Sequence, residues 1–391
     1  MVRGVLEINL NFLEENVRKV KKALPQNVRY LSVAKADAYG LGIEKITLFL
    51  GNRQHPLVDG FAVLNVQEAL AIRSLDISLP ICILSPLLKD ELEDLRRAQA
   101  IPLISSIDEL HMLQNFARKE QFIQKIHVKI DTGMGRLGVW FEDVEKFFSY
   151  AANCNHLEIC GLATHFSSTL KDNAFTQSQL LRFQDVIRKY AKPNWLNHAS
   201  SSFGIDRFLE GTNGVRIGAL QCGIPEDNAL VKRLQLQPII RLSTVVVLVK
   251  YVPAKTKVGY EQTYCLPKDT KIAVLSLGYA DGIPIALSNC GEVLIRGQRC
   301  KIIGRVSMDQ VTVDVTALED VAVGDEAVFF GRQGTEEIPF SEFAQRAQLL
   351  MRAAFLASLS ERRITRKYLP EVFSLDCSPE MKNSQSFFSP F

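Results

Sequence analysis

The sequence predicts an α/β fold: an N-terminal (β/α)8 TIM-type barrel over residues 1–236, a β-rich C-terminal domain over 237–370, and a disordered tail over 371–391. Three observations predict it. Over the first 220 residues, short apolar and β-branched runs alternate with amphipathic stretches of helical period, the pattern of parallel strands joined by crossover helices. The number of such runs is eight, which is what closure into a barrel needs. After about residue 236 the helices cease and strands separated by turn residues take over.

Taken in order, the barrel strands are YLSVAK (30–35), GFAVL (60–64), PICIL (80–84), IPLIS (101–105), IHVKID (126–131), EICGLATHF (158–166), NWLNHAS (194–200) and VRIGAL (215–220). Helix-like segments such as IEKITLFL, VQEALAIRSL, DELEDLRRAQ, IDELHMLQNFARKE and QSQLLRFQDVIRKY lie between them. The second domain reads as the strands STVVVLVKYV, TKVGYEQTYCL, KIAVLSLGYADG, EVLIRGQRCKIIGRV, QVTVDVT and DEAVFF. One helical stretch, SEFAQRAQLLMRAAFLASLS, and a closing strand near RITRKYL complete it, and the tail that follows lacks periodicity.

Composition narrows the function. The 46 basic residues balance 43 acidic ones, so no strong field recruits nucleic acid or an anionic membrane. Eight scattered cysteines without a CxxC pair speak against a zinc site and a disulfide framework, and suit a reducing compartment. The opening residues lack a signal-peptide core, and the apolar run VVVLV at 245–249 is far too short to span a bilayer. The expectation is a cytoplasmic protein acting on a small molecule, with no metal.

The polar residues at the carboxyl ends of the barrel strands carry the chemistry, because that rim is where barrels of this type build their sites. Lys35 ends the first strand, and Lys129 lies in HVKIDTGMGRLG with Arg136 on its glycine-rich loop. His165 ends GLATHF, Ser200 to Ser202 follow NWLNHA, and Arg216 and Gly218 lie in VRIGAL. Each alone has a plainer use: a salt bridge, a hydrogen-bonded core histidine, a turn, a helix cap. Their convergence on one rim shifts the weight. A desolvated lysine among cations has a lowered pKa and forms Schiff bases, while hydroxyls and glycine-flanked amides suit a phosphate dianion. Together they point to pyridoxal 5'-phosphate, an electron sink for carbanions beside an amino group.

The ordered series VAKADAYGLG, HVKIDTGMGRLG, ATHF, VRIGALQCG, VGYEQTY, GYADGIP and GRVSMDQVTVDV resembles the alanine racemase family from about residue 5 to 368. The resemblance implies a homodimeric, pyridoxal phosphate-dependent enzyme that interconverts L- and D-alanine by two-base proton transfer and supplies D-alanine for peptidoglycan. It implies that Lys35 carries the cofactor as an internal aldimine. Tyr39, Ser202 and the amides of Gly218 and Ala219 hold its phosphate, and Arg216 faces its ring nitrogen. Arginine there keeps its proton, leaves the ring neutral and limits side reactions. His165 links Arg216 to the tyrosine of GYADG. Arg136 contacts the ring oxygen and the substrate carboxylate, which Met308 also binds by its amide. Lys129 matches a lysine carried as a carbamate, and Tyr279 is the second base, reaching in from the partner subunit.

The chain departs from the family pattern at Asp37, Ser201, Cys222, Glu261 and Ser307. In the last helix, Ala353 or Ala354 stands where the family has a tyrosine that narrows the entrance, which predicts a wider one. The alternatives are a broader racemase that also takes serine, and a cofactor-binding protein with low turnover. A decarboxylase of related architecture would be expected to place an acid, not Arg216, at the ring nitrogen.

Overall fold

The computed structural model describes residues 3–52, 54–207, 209–224 and 228–370. Eight parallel strands, Arg29–Val33, Gly60–Val63, Ile81–Ile83, Ile101–Ile104, Gln124–Asp131, Leu157–Ala163, Leu196–Ser201 and Gly214–Ile217, form a closed barrel. The last pairs back onto the first, from Gly214 against Arg29 to Ile217 against Ser32. All eight expected strands are present. Gly60–Val63, Ile81–Ile83 and Gly214–Ile217 are buried throughout, towards both the interior and the helical jacket, as parallel strands require.

The interior is filled by small apolar side chains, Leu31, Val33, Ala62, Cys82, Leu103 and Ala163, and by two histidines, His127 and His198. Gly161 makes room for one of them: a Cβ there would lie 2.6 Å from the ring of His127.

The second domain is built on a mixed sheet whose long strand Ile240–Val252 pairs antiparallel with Thr270–Leu275 and Glu326–Gln333. Three local readings change. The strand Gly4–Asn9, grouped by sequence with the barrel, lies in this second sheet between Ile240–Val252 and the parallel Ile364–Leu369. Its pattern, with Leu6 and Ile8 buried, is equally compatible with either sheet, so long-range pairing alone decides. The helix Leu10–Ala23 follows it and leads into the barrel.

The segment VGYEQTY is not one strand. Two-residue pairings at Lys257–Val258 and Tyr264–Cys265 flank a tight turn over Tyr260–Gln262, because positive φ at Gly259, Glu261 and Gln262 breaks the ladder. The single helical stretch before the last strand is two helices, Phe340–Arg346 and Arg352–Ala357, with Gln348 in the left-handed region between them. The tail over 371–391 lies outside the described residues. Among the described residues no helix is long and apolar enough to cross a membrane.

Candidate active site

The first barrel strand ends at Val33, and Lys35 begins a turn of uncommon handedness. Ala36, Asp37, Ala38 and Tyr39 all have φ between 52° and 63°, a single left-handed turn made of non-glycine residues. Each such residue costs about 1–2 kcal/mol, so the turn needs outside support. Asp37 supplies part of it by accepting the N–H groups of Ile43 (2.7 Å) and Gly42 (3.1 Å). The asparagine of the family pattern would present one acceptor oxygen to these two donors, where the carboxylate of Asp37 presents one to each. The C-terminal domain adds more. Arg366 donates to the Gly40 carbonyl and Tyr368 to that of Leu41. Helix Arg352–Ala357 packs so closely that a Cβ on Gly40 would sit 2.5 Å from the Leu356 carbonyl oxygen.

The turn brings Tyr39 against the end of the eighth strand. A Cβ at Gly218 would lie 2.2 Å from the Tyr39 hydroxyl, so only glycine allows this approach. Beside it the Ser202 hydroxyl accepts from the N–H groups of Gly218 (3.1 Å) and Leu220 (3.4 Å). Ala219 lies between these two amides. A phenol, a hydroxyl and successive N–H groups thus gather at one point, an arrangement suited to an anion.

Arg216 is buried and heavily committed. Its Nη1 donates to His198 Nδ1 at 2.6 Å and to the His198 carbonyl at 3.1 Å. Its Nη2 donates to the carbonyls of Thr164 and Ala199 and to His165 Nδ1, at 2.7, 2.8 and 3.0 Å. No carboxylate is among these partners, and Nε is the donor left over. Burial lowers its pKa to about 10, which still leaves it charged at neutral pH. Because arginine can only donate, His198 must accept at Nδ1 and carry its proton on Nε2, which lies 2.9 Å from Nδ1 of His127. Burial, then the charge of Arg216, holds all three histidines low, His127 at about 3.

On the fifth strand, Asp131 organises the glycine-rich loop. Its Oδ1 accepts from Gly133, Met134 and Gly135 and its Oδ2 from Arg136, at 2.8–3.2 Å. Burial works to raise its pKa, but these four bonds outweigh burial and hold the carboxyl low. Both oxygens being occupied, Asp131 serves the loop rather than Lys129. Lys129 is half-buried on the same strand. Burial, then Arg216 and Arg136, holds its pKa well below the usual range. Lys35 is also lowered, first by burial and then by Arg136, with Glu68 opposing and Arg216 assisting.

The structure therefore brings together Lys35, Tyr39, Lys129, Arg136, His165, Ser202, Arg216, Gly218 and Ala219 at one rim. Within one chain it does not bring Tyr279 or Met308 into hydrogen bonds with that rim among the described residues. They occupy neighbouring turns of the second domain, Tyr279 41% and Met308 52% exposed. The two turns are zipped together by Tyr279 N–H to the Ser307 carbonyl and Ala280 N–H to the Met308 carbonyl, each 3.0 Å.

Four residues of interest escaped the sequence reading. His127 precedes Lys129 by two positions on one strand, so it shares a face with it, and that spacing was the available signal. His198 is inward for the same alternation. Glu68, on a helix outside the barrel, gave no signal. Tyr260 is 68% exposed on the strained turn described above, and Gly259 beside it packs against the backbone of Arg305, on the loop that leads to Met308.

Comparison with known proteins places the chain among its relatives. The alanine racemase N-terminal domain family matches residues 8–225 and the C-terminal domain family residues 239–368. The alanine racemase of Halothermothrix orenii is 36% identical over 351 residues, covering 88% of this chain and 91% of its own. The solved alanine racemase of Clostridium difficile 630 superposes with a TM-score of 0.85 at 26% identity, over 94% of this chain and 97% of its own. The Bartonella henselae alanine racemase, solved with covalently bound pyridoxal phosphate, shares the fold with a TM-score of 0.82 at 24% identity, over 94% and 100%. The chain belongs to the alanine racemase family.

Proposed function

We propose that this chain interconverts L- and D-alanine with pyridoxal phosphate held on Lys35, the α-proton being removed from one face and returned on the other by two opposed bases. The observation that carries the reading is the placement of Lys35 at the mouth of the barrel, opening the turn that brings Tyr39 to Gly218 and Ser202; burial, then Arg136, makes its amine less basic. A neutral amine is what attacks an aldehyde.

The residues present suit the cofactor. Gly218 is the glycine that lets the Tyr39 hydroxyl close on the Ser202 hydroxyl and its amides, a place for a phosphate. Arg216 has both Nη atoms locked and Nε to offer a ring nitrogen. When bound, pyridoxal phosphate supplies an electron sink that acidifies the α-proton. The chain's own groups do the rest. Lys35 Nζ takes or returns the proton on one face. Arg136 and the Met308 amide hold the substrate carboxylate. His165, half-buried, fixed by Arg216 and with its protonation opposed by burial and by that guanidinium, orients the proton path.

The opposite face needs a base from the second domain, of a dimer partner, since the tyrosines there do not meet the rim within one chain. Tyr279 is one carrier, on the turn zipped to Met308. Tyr260 is the other, and its flanking residues favour it: Gly259, Glu261 and Gln262 all hold positive φ, and such strain concentrates where a side chain must be aimed. Phenylalanine at each position in turn decides, because only the base is indispensable.

Lys129, made less basic by burial and by the two arginines, adds its nitrogen in the amine form to carbon dioxide and releases one proton to give a carbamate. The resulting anion settles between Arg136 and Arg216, which otherwise face a third cation or an unpaired amine. Ala354 is exposed on the helix that packs against the lysine turn, which supports a wider entrance and tolerance of serine. An arginine, Arg216, rather than an acid in the place that faces the ring nitrogen favours racemisation over decarboxylation. The reading makes the chain a cytoplasmic supplier of D-alanine for peptidoglycan.

The test is racemisation of a panel of small amino acids by purified protein, with borohydride reduction and peptide mapping. Racemisation of alanine and a label on Lys35 support the reading. No turnover, or a label elsewhere, rejects it.

A further inference from the structure

Glu68 lies on the helix Val66–Arg73, outside the ring of residues described as the site. Its Oε1 accepts the N–H of Ala36 at 2.6 Å and its Oε2 the N–H of Leu64 at 2.7 Å. Ala36 follows Lys35 directly and is the first of the four left-handed residues. One carboxylate therefore ties the strained turn to the loop after the second barrel strand, and it does so one residue from the amine.

The charged and titratable groups that act on Lys35 come from four elements. Arg136, on the loop after the fifth strand, and Arg216, on the eighth, disfavour its ammonium form. His165, after the sixth, has its protonation opposed by burial, then by Arg216, Lys129 and Arg136, and by Lys35 itself. Glu68 alone favours the ammonium. Without it, the amine faces two guanidiniums and loses the proton affinity that a base taking an α-proton needs.

We propose that Glu68 is a positioning residue for Lys35, whose two oxygens clamp the left-handed turn and whose charge balances the two arginines across the amine. The proposal deepens the reading of Lys35 as the reacting amine and rests on it, but its test reads the amine itself. The full-length chain, freed of cofactor, is acetylated competitively with acetic anhydride across a pH series. The extent of labelling on the Lys35 peptide is read by mass spectrometry, and a thermal midpoint is measured alongside.

Glu68→Gln keeps the shape but loses the charge and one of the two acceptors. It moves the labelling midpoint of Lys35 down by about 0.5–1 pH unit and lowers the thermal midpoint by about 2 °C. Adding Ala36→Gly, which removes the backbone strain, restores the thermal midpoint and leaves the labelling midpoint shifted. A merely structural role gives a labelling midpoint that never moves, or one that returns with the thermal midpoint in the double variant. Either result overturns the proposal. Borohydride mapping to another lysine would reject the reading of Lys35 while leaving the acetylation result to stand or fall by itself.

Discussion

Three histidines inside or at the rim of the barrel, His127, His165 and His198, stay neutral because burial and the charge of Arg216 both oppose protonation. In the unfolded chain each takes a proton near pH 6.5. The folded pKa lies below the unfolded one, so the unfolded state binds more protons once pH falls past that value. Stability is then full above about pH 6.5 and is lost on acidification, by up to about 4 kcal/mol per pH unit for three groups. Denaturant midpoints between about pH 7 and pH 5 should show this slope, and His127→Gln should reduce it by about a third. An unchanged slope in that variant would mean that His127 is charged in the folded protein. At the same scale, Lys129 in intact protein kept in bicarbonate should show the added mass of carbon dioxide, lost on acidification. Lys129→Ala should lower turnover yet recover with a small added carboxylate; a bare amine under bicarbonate contradicts the carbamate.

The element that matters most is the left-handed turn over Ala36 to Tyr39, whose strain of about 1–2 kcal/mol per residue is offset by Asp37, Glu68, Arg366 and Tyr368. Its purpose is visible at Gly218, where the Tyr39 hydroxyl arrives. Gly218→Ala should push that hydroxyl away and weaken pyridoxal phosphate binding about tenfold, the loss of about one hydrogen bond to a charged group. Cofactor titration followed by absorbance measures it, and an affinity equal to the parent would show that Tyr39 does not serve the phosphate. None of this turn was legible in advance. Lys35, Tyr39 and the glycines could be read as a motif, but a helix of reversed hand has no periodicity that distinguishes it over one turn. The supports at Glu68, Arg366 and Tyr368 are distant in sequence. The barrel strands, by contrast, were legible because continuous apolar runs separated by amphipathic helices have few other ways to bury both faces. The first strand, Gly4–Asn9, was not, since a six-residue run with Leu6 and Ile8 inward suits either sheet until its partners are known.

At the scale of the whole molecule, the two domains divide the chemistry. The barrel rim gathers the amine, the anion site and the arginines, while the second domain presents Tyr260, Tyr279 and Met308 on exposed turns. In the dimer proposed above, two-fold pairing would let each chain offer its turns to the other's barrel and complete both sites at once. The most direct measurement of that claim mixes two inactive variants under conditions that exchange subunits. Lys35→Ala lacks the amine, and a Tyr260→Phe or Tyr279→Phe variant lacks the opposing base. Mixing Lys35→Ala with whichever tyrosine variant is inactive should restore racemisation to about a quarter of the parent activity, because half of the dimers are mixed and each has one intact site. No recovery after proven subunit exchange would place both bases in one chain and contradict the account.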